Sequence, residues 1–202
     1  MRIIAALVIA SGALLRQAPA WSLPLIYPIT PAGTTINFAV DLLGLASAEG
    51  EFGRFSGRLT LDLQQPDLSA VEVSIDTSSA VMGWEPADSM VLGESYLDSA
   101  HYPEMRFESR TVTPLAPGRV RRGGMLTLRG ISHWESFDTA LGARRWNAER
   151  GAFETDFTAV GAVRRSDYHM AEGQGFMDDS VTFSIRVRLL VDGDGLSPAP
   201  LH

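Results

Sequence analysis

The sequence predicts an all-β protein, an eight-stranded antiparallel β-barrel with one or two short helices near the barrel mouth. Three observations predict it. Nearly every stretch between residues 34 and 191 alternates apolar and polar side chains with period two, the pattern of strands with one buried face. Each stripe is polar on its other face, so the strands must curl or pair to bury the apolar side, and antiparallel closure does this while removing exposed edges. One long interruption, residues 81–100, lacks sustained alternation.

The elements follow in order. Ile36, Phe38 and Val40 face one way while Asn37, Ala39 and Asp41 face the other. Leu59, Leu61 and Leu63 alternate with Thr60 and Asp62, and Gln64-Gln65-Pro66-Asp67 reads as a turn. Val71, Val73 and Ile75 alternate with Glu72 and Ser74. Residues 81–100 then hold Trp84, Met90, Leu92, Tyr96 and Leu97 among small and acidic residues, the composition of one or two short helices crossing the mouth. Met105 and Phe107 open the next strand, which residues 114–118 close with Pro114 and Gly118. Residues 124–130, 131–141, 153–163 and 181–191 complete the eight. The last is the clearest, with Val181, Phe183, Ile185, Val187, Leu189 and Val191 on one face.

The ends read differently. Residues 1–20 run from Met1-Arg2 through an apolar stretch to Ala18-Pro19-Ala20, the three regions of a cleaved secretory signal peptide. The apolar stretch is shorter than the roughly 18 residues a membrane span needs. Residues 21–33 carry Pro24, Pro28 and Pro31 and read as an extended N-terminal lead-in, residues 34–191 as the barrel domain, and residues 192–202 as a flexible tail. Export to the periplasm of a Gram-negative cell is the expectation, and a chain with no Cys cannot mispair there.

Composition removes several function classes. The 202 residues hold 24 acids against 17 basic residues, every one of them Arg, for a net charge of -7 that opposes nucleic acid and anionic membrane surfaces. Without Cys there is no thiol nucleophile, thiolate metal site or redox dithiol. The histidines, at 101, 133, 169 and 202, lack the spacing that converges on a metal from one strand or helix. No G-x-S-x-G elbow, phosphate-binding glycine loop or dinucleotide fingerprint occurs. Asp178 and Asp179 are adjacent acids in a loop, which are ordinarily solvated, so no catalytic residue is assigned. The interior of an eight-stranded barrel is just wide enough to be filled by side chains or to hold one slender ligand, and periodicity leaves both readings open.

Five segments in register carry a resemblance. Phe38-Ala39-Val40 with Gly44, Gly50-Glu51-Phe52 and Phe55-Ser56-Gly57 form the first, and residues 71–79 the second. Asp88 through Leu97-Asp98, Tyr102-Pro103 and Phe107-Glu108-Ser109 form the third, residues 124–131 the fourth, and Arg165-Ser166-Asp167-Tyr168 with Met170 the fifth. Together they resemble the YceI-like family. That resemblance implies a lipocalin-like barrel that binds a polyisoprenoid or similar long-chain amphiphile in a central tunnel, with no catalytic residue and no cofactor. It also allows a homodimer, and a membrane protein such as a respiratory cytochrome as a docking partner should the barrel be solid.

The chain departs from the family pattern. Leu42 stands where a His is common, Ala87 where Arg is usual, Met90 where another His is common, and Leu92 where a basic residue often follows. The expected ligand therefore has a less polar head, such as a quinone, a fatty amide or a free polyprenol. The expected tunnel wall is Phe38, Val40, Leu42, Met90, Leu92, Phe107 and Phe157, with Trp84 and Tyr96 near its mouth. His169 replaces a Gly at a position that favours positive φ, and Trp134 replaces a Pro. Glu135, if buried, needs a partner such as Arg129 or stays protonated.

Overall fold

A computed structural model describes residues 24–191 apart from 63, 64, 171 and 174. The leader at 1–20, the first residues of the lead-in, Leu63 and the tail at 192–202 lie outside the described residues. The strands are β1 (Leu25–Ile29), β2 (Thr34–Leu42), β3 (Ala46–Phe52), β4 (Phe55–Leu61), β5 (Ala70–Asp76), β6 (Ala80–Val81), β7 (Glu104–Ala116), β8 (Arg119–Leu128), β9 (Ile131–Leu141), β10 (Arg145–Asn147), β11 (Ala152–Arg164) and β12 (Ser180–Val191), with one α-helix, α1 (Glu85–Leu92).

These strands form one antiparallel sheet of twelve, not the eight expected, and the sheet curls into a half-barrel. Its hydrogen-bonded path runs β1-β4-β5-β7-β8-β9-β11-β12-β2-β3-β6, with β10 attached to β11. The additional strands are those whose sequence carries no stripe. β1 includes Pro28 and sits in the lead-in, paired with β4 from Leu25↔Leu61 to Ile29↔Gly57. β3 is built of small and acidic residues and fully buries only Phe52. β6 and β10 have two and three residues, too short for any period to show.

Local chemistry explains the connections. Leu128 pairs with Ile131 across Arg129-Gly130, and both turn residues have positive φ (52° and 72°), as a two-residue hairpin turn matched to strand twist requires. Gly50 lies opposite Phe38, whose ring occupies the space a Cβ would fill at 2.3 Å. The interruption at residues 81–100 contains α1, with Glu85 and Asp88 in its first turn, Pro86 beside them and Gly93 as its C-cap. Asp88 accepts the Met82 N–H at 2.5 Å, and Arg129 Nη1 donates to the carbonyls of Glu94 (2.7 Å) and Tyr96 (2.5 Å). The segment is thus held at Met82 by Asp88 and at residues 94–96 by Arg129, and it closes one part of the apolar interior. The concave face gathers one continuous apolar cluster from strands as separate as β4 (Leu59) and β12 (Leu189).

Candidate functional site

The interior holds two apolar chambers. The first, of about 80 Å³, lies under α1 and is walled by Phe38 and Val40 of β2, Phe52, Val163, Phe183, Tyr96 and Leu97, with Met82, Met90, Met170 and Met177 around it. Methionine is unbranched and polarizable, so this end can re-form around an occupant. The second, of about 50 Å³, is walled by Ile36, Val73, Ile75, Met105, Phe107, Phe137 and Phe157 and by the buried Arg122. Phe183, on the inward face of β12, lines both chambers.

Each chamber has a buried arginine. Arg165, only 3% exposed, lines the first. Its Nε donates to the Asp178 carbonyl (2.9 Å), Nη1 to those of Glu172 (2.8 Å) and Met170 (3.4 Å), and Nη2 to that of Met177 (3.3 Å). It fastens the loop that brings Met170 and Met177 to the chamber. Arg122, 4% exposed, occupies an inward position of β8 in phase with Gly124, Leu126 and Leu128. Nη1 donates to the Ser69 carbonyl at 2.9 Å, while Nε has no hydrogen-bond partner. The guanidinium carbon stands 5.9 Å from the Phe157 ring centroid. Burial lowers the pKa of Arg122 below the usual arginine value.

The structure places the expected wall residues as follows. Phe38, Val40, Met90 and Tyr96 line the first chamber, and Phe107 and Phe157 line the second. Leu42 is half-buried at the end of β2 and Leu92 packs on the core at the end of α1, both away from the cavities. Trp84 is 67% exposed at the start of α1, outside the chamber wall. Sequence reasoning missed Phe183 as the shared wall and Arg122 as the buried cation. Counting back from Leu128 and Leu126 through Gly124 in steps of two puts Arg122 on the inward face, and that is the signal that finds it.

The remaining polar groups take specific partners. Glu135 is partnered by Tyr168, whose hydroxyl donates to Oε1 at 3.0 Å, and not by Arg129, which is engaged with the carbonyls of Glu94 and Tyr96. Burial pushes the Glu135 carboxyl up from its ordinary value, and burial beside Glu135 pushes the Tyr168 hydroxyl up. His133 donates from Nε2 to the Asp167 carbonyl at 2.9 Å and packs edge-on against Tyr168. His169 adopts the left-handed region, with φ 58° and ψ 31°. His101 pairs with Asp98 at 2.7 Å, and that hydrogen bond raises its pKa. Among the described residues no cluster of His, Asp and Glu is arranged to hold a metal ion.

A curled antiparallel half-barrel with an apolar, chambered interior is the class of protein that the fold and site define. The chain belongs to the YceI-like family, whose domain matches residues 27–189. A UPF0312 protein of Yersinia pestis is 29% identical over 152 residues, spanning 75% of this chain and 78% of that protein. A UPF0312 protein of Vibrio parahaemolyticus is 30% identical over 125 residues, spanning 60% and 66%. Among solved structures, Burkholderia cenocepacia BcnA superposes with a TM-score of 0.68 at 20% identity, over 78% of this chain and 97% of that one. A polyisoprenoid binding domain from Saccharophagus degradans superposes with a TM-score of 0.56 at 14% identity, over 82% and 98%.

Proposed function

We propose that this protein binds a long-chain isoprenoid or another apolar amphiphile inside the half-barrel, and that it carries or sequesters that ligand in the periplasm after export. The observation that supports the reading most is the pair of apolar chambers in the interior, which share Phe183 in their walls. The solved relative from Saccharophagus degradans, described as a polyisoprenoid binding domain, shares the fold and supports the same reading. Each buried methylene contributes about 0.8 kcal/mol, so about ten of them supply the ~8 kcal/mol of micromolar binding before ordering costs. Such a tail needs no charge to hold it.

The chambers are narrow, about 80 and 50 Å³, against roughly 300 Å³ or more for a pocket that engulfs a whole drug-sized ligand. A lipid therefore enters by displacing Phe183 and the methionines, so occupancy widens the interior. The narrowness also favours a second reading, a filled barrel whose surface docks a membrane partner, with Leu45 at 88% exposure and Trp84 on that surface. Lipid extraction and mass spectrometry on gently purified full-length protein separate the two. A stoichiometric long-chain lipid is expected, lost in Val40→Arg and in Phe157→Arg but kept in Arg188→Ala, which alters the exposed face of β12. An empty extract from the unaltered protein, or equal retention in all three variants that circular dichroism shows to be folded, overturns the lipid reading.

A further inference from the structure

We infer that Arg122 receives the head group of the bound amphiphile and selects one that ends in a carboxylate, with the tail running past Phe183 toward α1. This rests on the reading that the interior takes up an amphiphile, and deepens it by naming the ligand's polar end.

Strand β8 breaks its own pattern at one position. Gly124, Leu126 and Leu128 face the core as the alternation demands, and the same phase places Arg122 among Phe107, Phe137 and Phe157. A guanidinium taken out of water is retained where its charge and donors are matched. Arg165 meets that condition, since its donors are directed at four backbone carbonyls. Arg122 does not: among the described residues its one hydrogen bond goes from Nη1 to the Ser69 carbonyl, Nε is buried without a partner, and the Phe157 ring centroid stands 5.9 Å from the guanidinium carbon. Among the described residues no carboxylate forms an ion pair with it. Among the described residues the protein thus encloses a cation with no carboxylate paired to it, at the wall of a chamber.

The geometry also sets the class of the missing group. With Nη1 committed to Ser69, the edge left over is that of Nε and Nη2, which is enclosed as the side chains stand and which, once an occupant widens the chamber, offers two parallel N–H donors that match a carboxylate side-on. A phosphate or pyrophosphate asks for more donors than this end supplies, because the other polar side chain in the wall, Thr139, already donates its hydroxyl to the Val120 carbonyl at 3.0 Å. A neutral alcohol leaves the charge unpaired. This revises the expectation of an uncharged head drawn from Leu42, Ala87, Met90 and Leu92: those positions are apolar, and the head-group contact lies instead on β8.

The test is competition against a fluorescent apolar probe on delipidated full-length protein, using hexadecanoic acid, 1-hexadecanol and hexadecyl phosphate, with Arg122→Met and Arg122→Lys beside the unaltered chain. The expected result is that the acid binds at least tenfold tighter than the alcohol and at least as tightly as the phosphate. In Arg122→Met that preference collapses to within about twofold with alcohol binding retained, and Arg122→Lys keeps only part of it, having charge without the fork. Acid and alcohol binding equally well to the unaltered protein overturns this inference and leaves the lipid reading standing. A tenfold preference for the phosphate, or a preference for the acid that survives Arg122→Met, also overturns it. Failure of all three compounds to displace the probe at any concentration below their solubility overturns the lipid reading itself.

Discussion

The two chambers are built from the same inward stripes and differ in what each does with its buried arginine. Under α1, Arg165 is wrapped by the carbonyls of Met170, Glu172, Met177 and Asp178 and serves to hold a loop in place. In the second chamber Arg122 spends one donor on Ser69 and leaves Nε unmatched. The first end is edged by flexible methionines and a pinned helix, the second by aromatic and branched residues in the middle of long strands. The contrast teaches that burial alone does not define a role: a buried charge fully met by backbone is a staple, and one left partly unmet inside a cavity is a binding group.

Truncating the side chain that lines both chambers is the most drastic way to break this comparison. Phe183→Ala is expected to cost about 3 to 5 kcal/mol of stability, as a buried aromatic truncated to alanine usually does, and to merge the two spaces. Urea denaturation measures the first effect, and a shift of the co-purified lipids toward longer chains by mass spectrometry measures the second. A destabilised variant whose lipid profile is unchanged would show that Phe183 packs without gating.

Exchanging the arginines for methionine sharpens the contrast. Arg165→Met leaves several carbonyls without a donor and is expected to cost about 3 kcal/mol or more. Faster hydrogen exchange should follow in the described residues of the 170–178 loop. Arg122→Met loses one hydrogen bond and a desolvated charge, so its stability is expected within about 1 kcal/mol of the unaltered protein, or above it. Calorimetry on both variants checks the ordering, and equal losses would remove the distinction between staple and binding group.

The smallest effect concerns the half-buried Glu135. Burial raises the folded-state pKa of Glu135 above its ordinary value of 4.5, so the folded protein holds a proton that the unfolded chain releases first. Its contribution to stability is therefore fully present below 4.5 and is lost as pH rises from there through the raised folded value. Glu135→Gln keeps an acceptor for the Tyr168 hydroxyl and should flatten this part of the profile, with a modest gain at neutral pH. Urea midpoints measured across the acid range read the slope, and parallel profiles for the two proteins would contradict it.

Much of the architecture was legible because period-two alternation reports directly which residues face a core. The stripes at Ile36, Phe38 and Val40, at Val71, Val73 and Ile75, and at Val181 through Leu189 all lie in strands, and the break after Val81 holds α1. The strands that escaped notice are those that bury little. β3 follows β2 with Gly50 under the Phe38 ring, and its small residues display no stripe. β10 is a three-residue pairing onto β11 that no local pattern announces.

The candidate site was legible to a lesser degree. Phe38, Val40, Phe107 and Phe157 face the interior because inward phase and large apolar side chains suffice to place them. Leu42 keeps the phase of Phe38 and Val40 but stands at a strand end, where alternation continues and enclosure stops. Trp84 immediately precedes the helix and points its size at solvent, which composition within residues 81–100 does not reveal.

The sequence by itself determined that the chain is all-β, that its core is one-sided, and which faces of the main strands are turned inward, since these follow from the order of apolar and polar residues along each strand. Only the tertiary structure decided that the sheet has twelve strands and curls into a half-barrel, that Phe183 lines both of its chambers, and that of two buried arginines one is answered by backbone and the other is not. Those are matters of which residues meet across long separations in the chain, as Arg122 meets Ser69, and hydrogen-bond satisfaction is a property of such meetings and not of any local pattern.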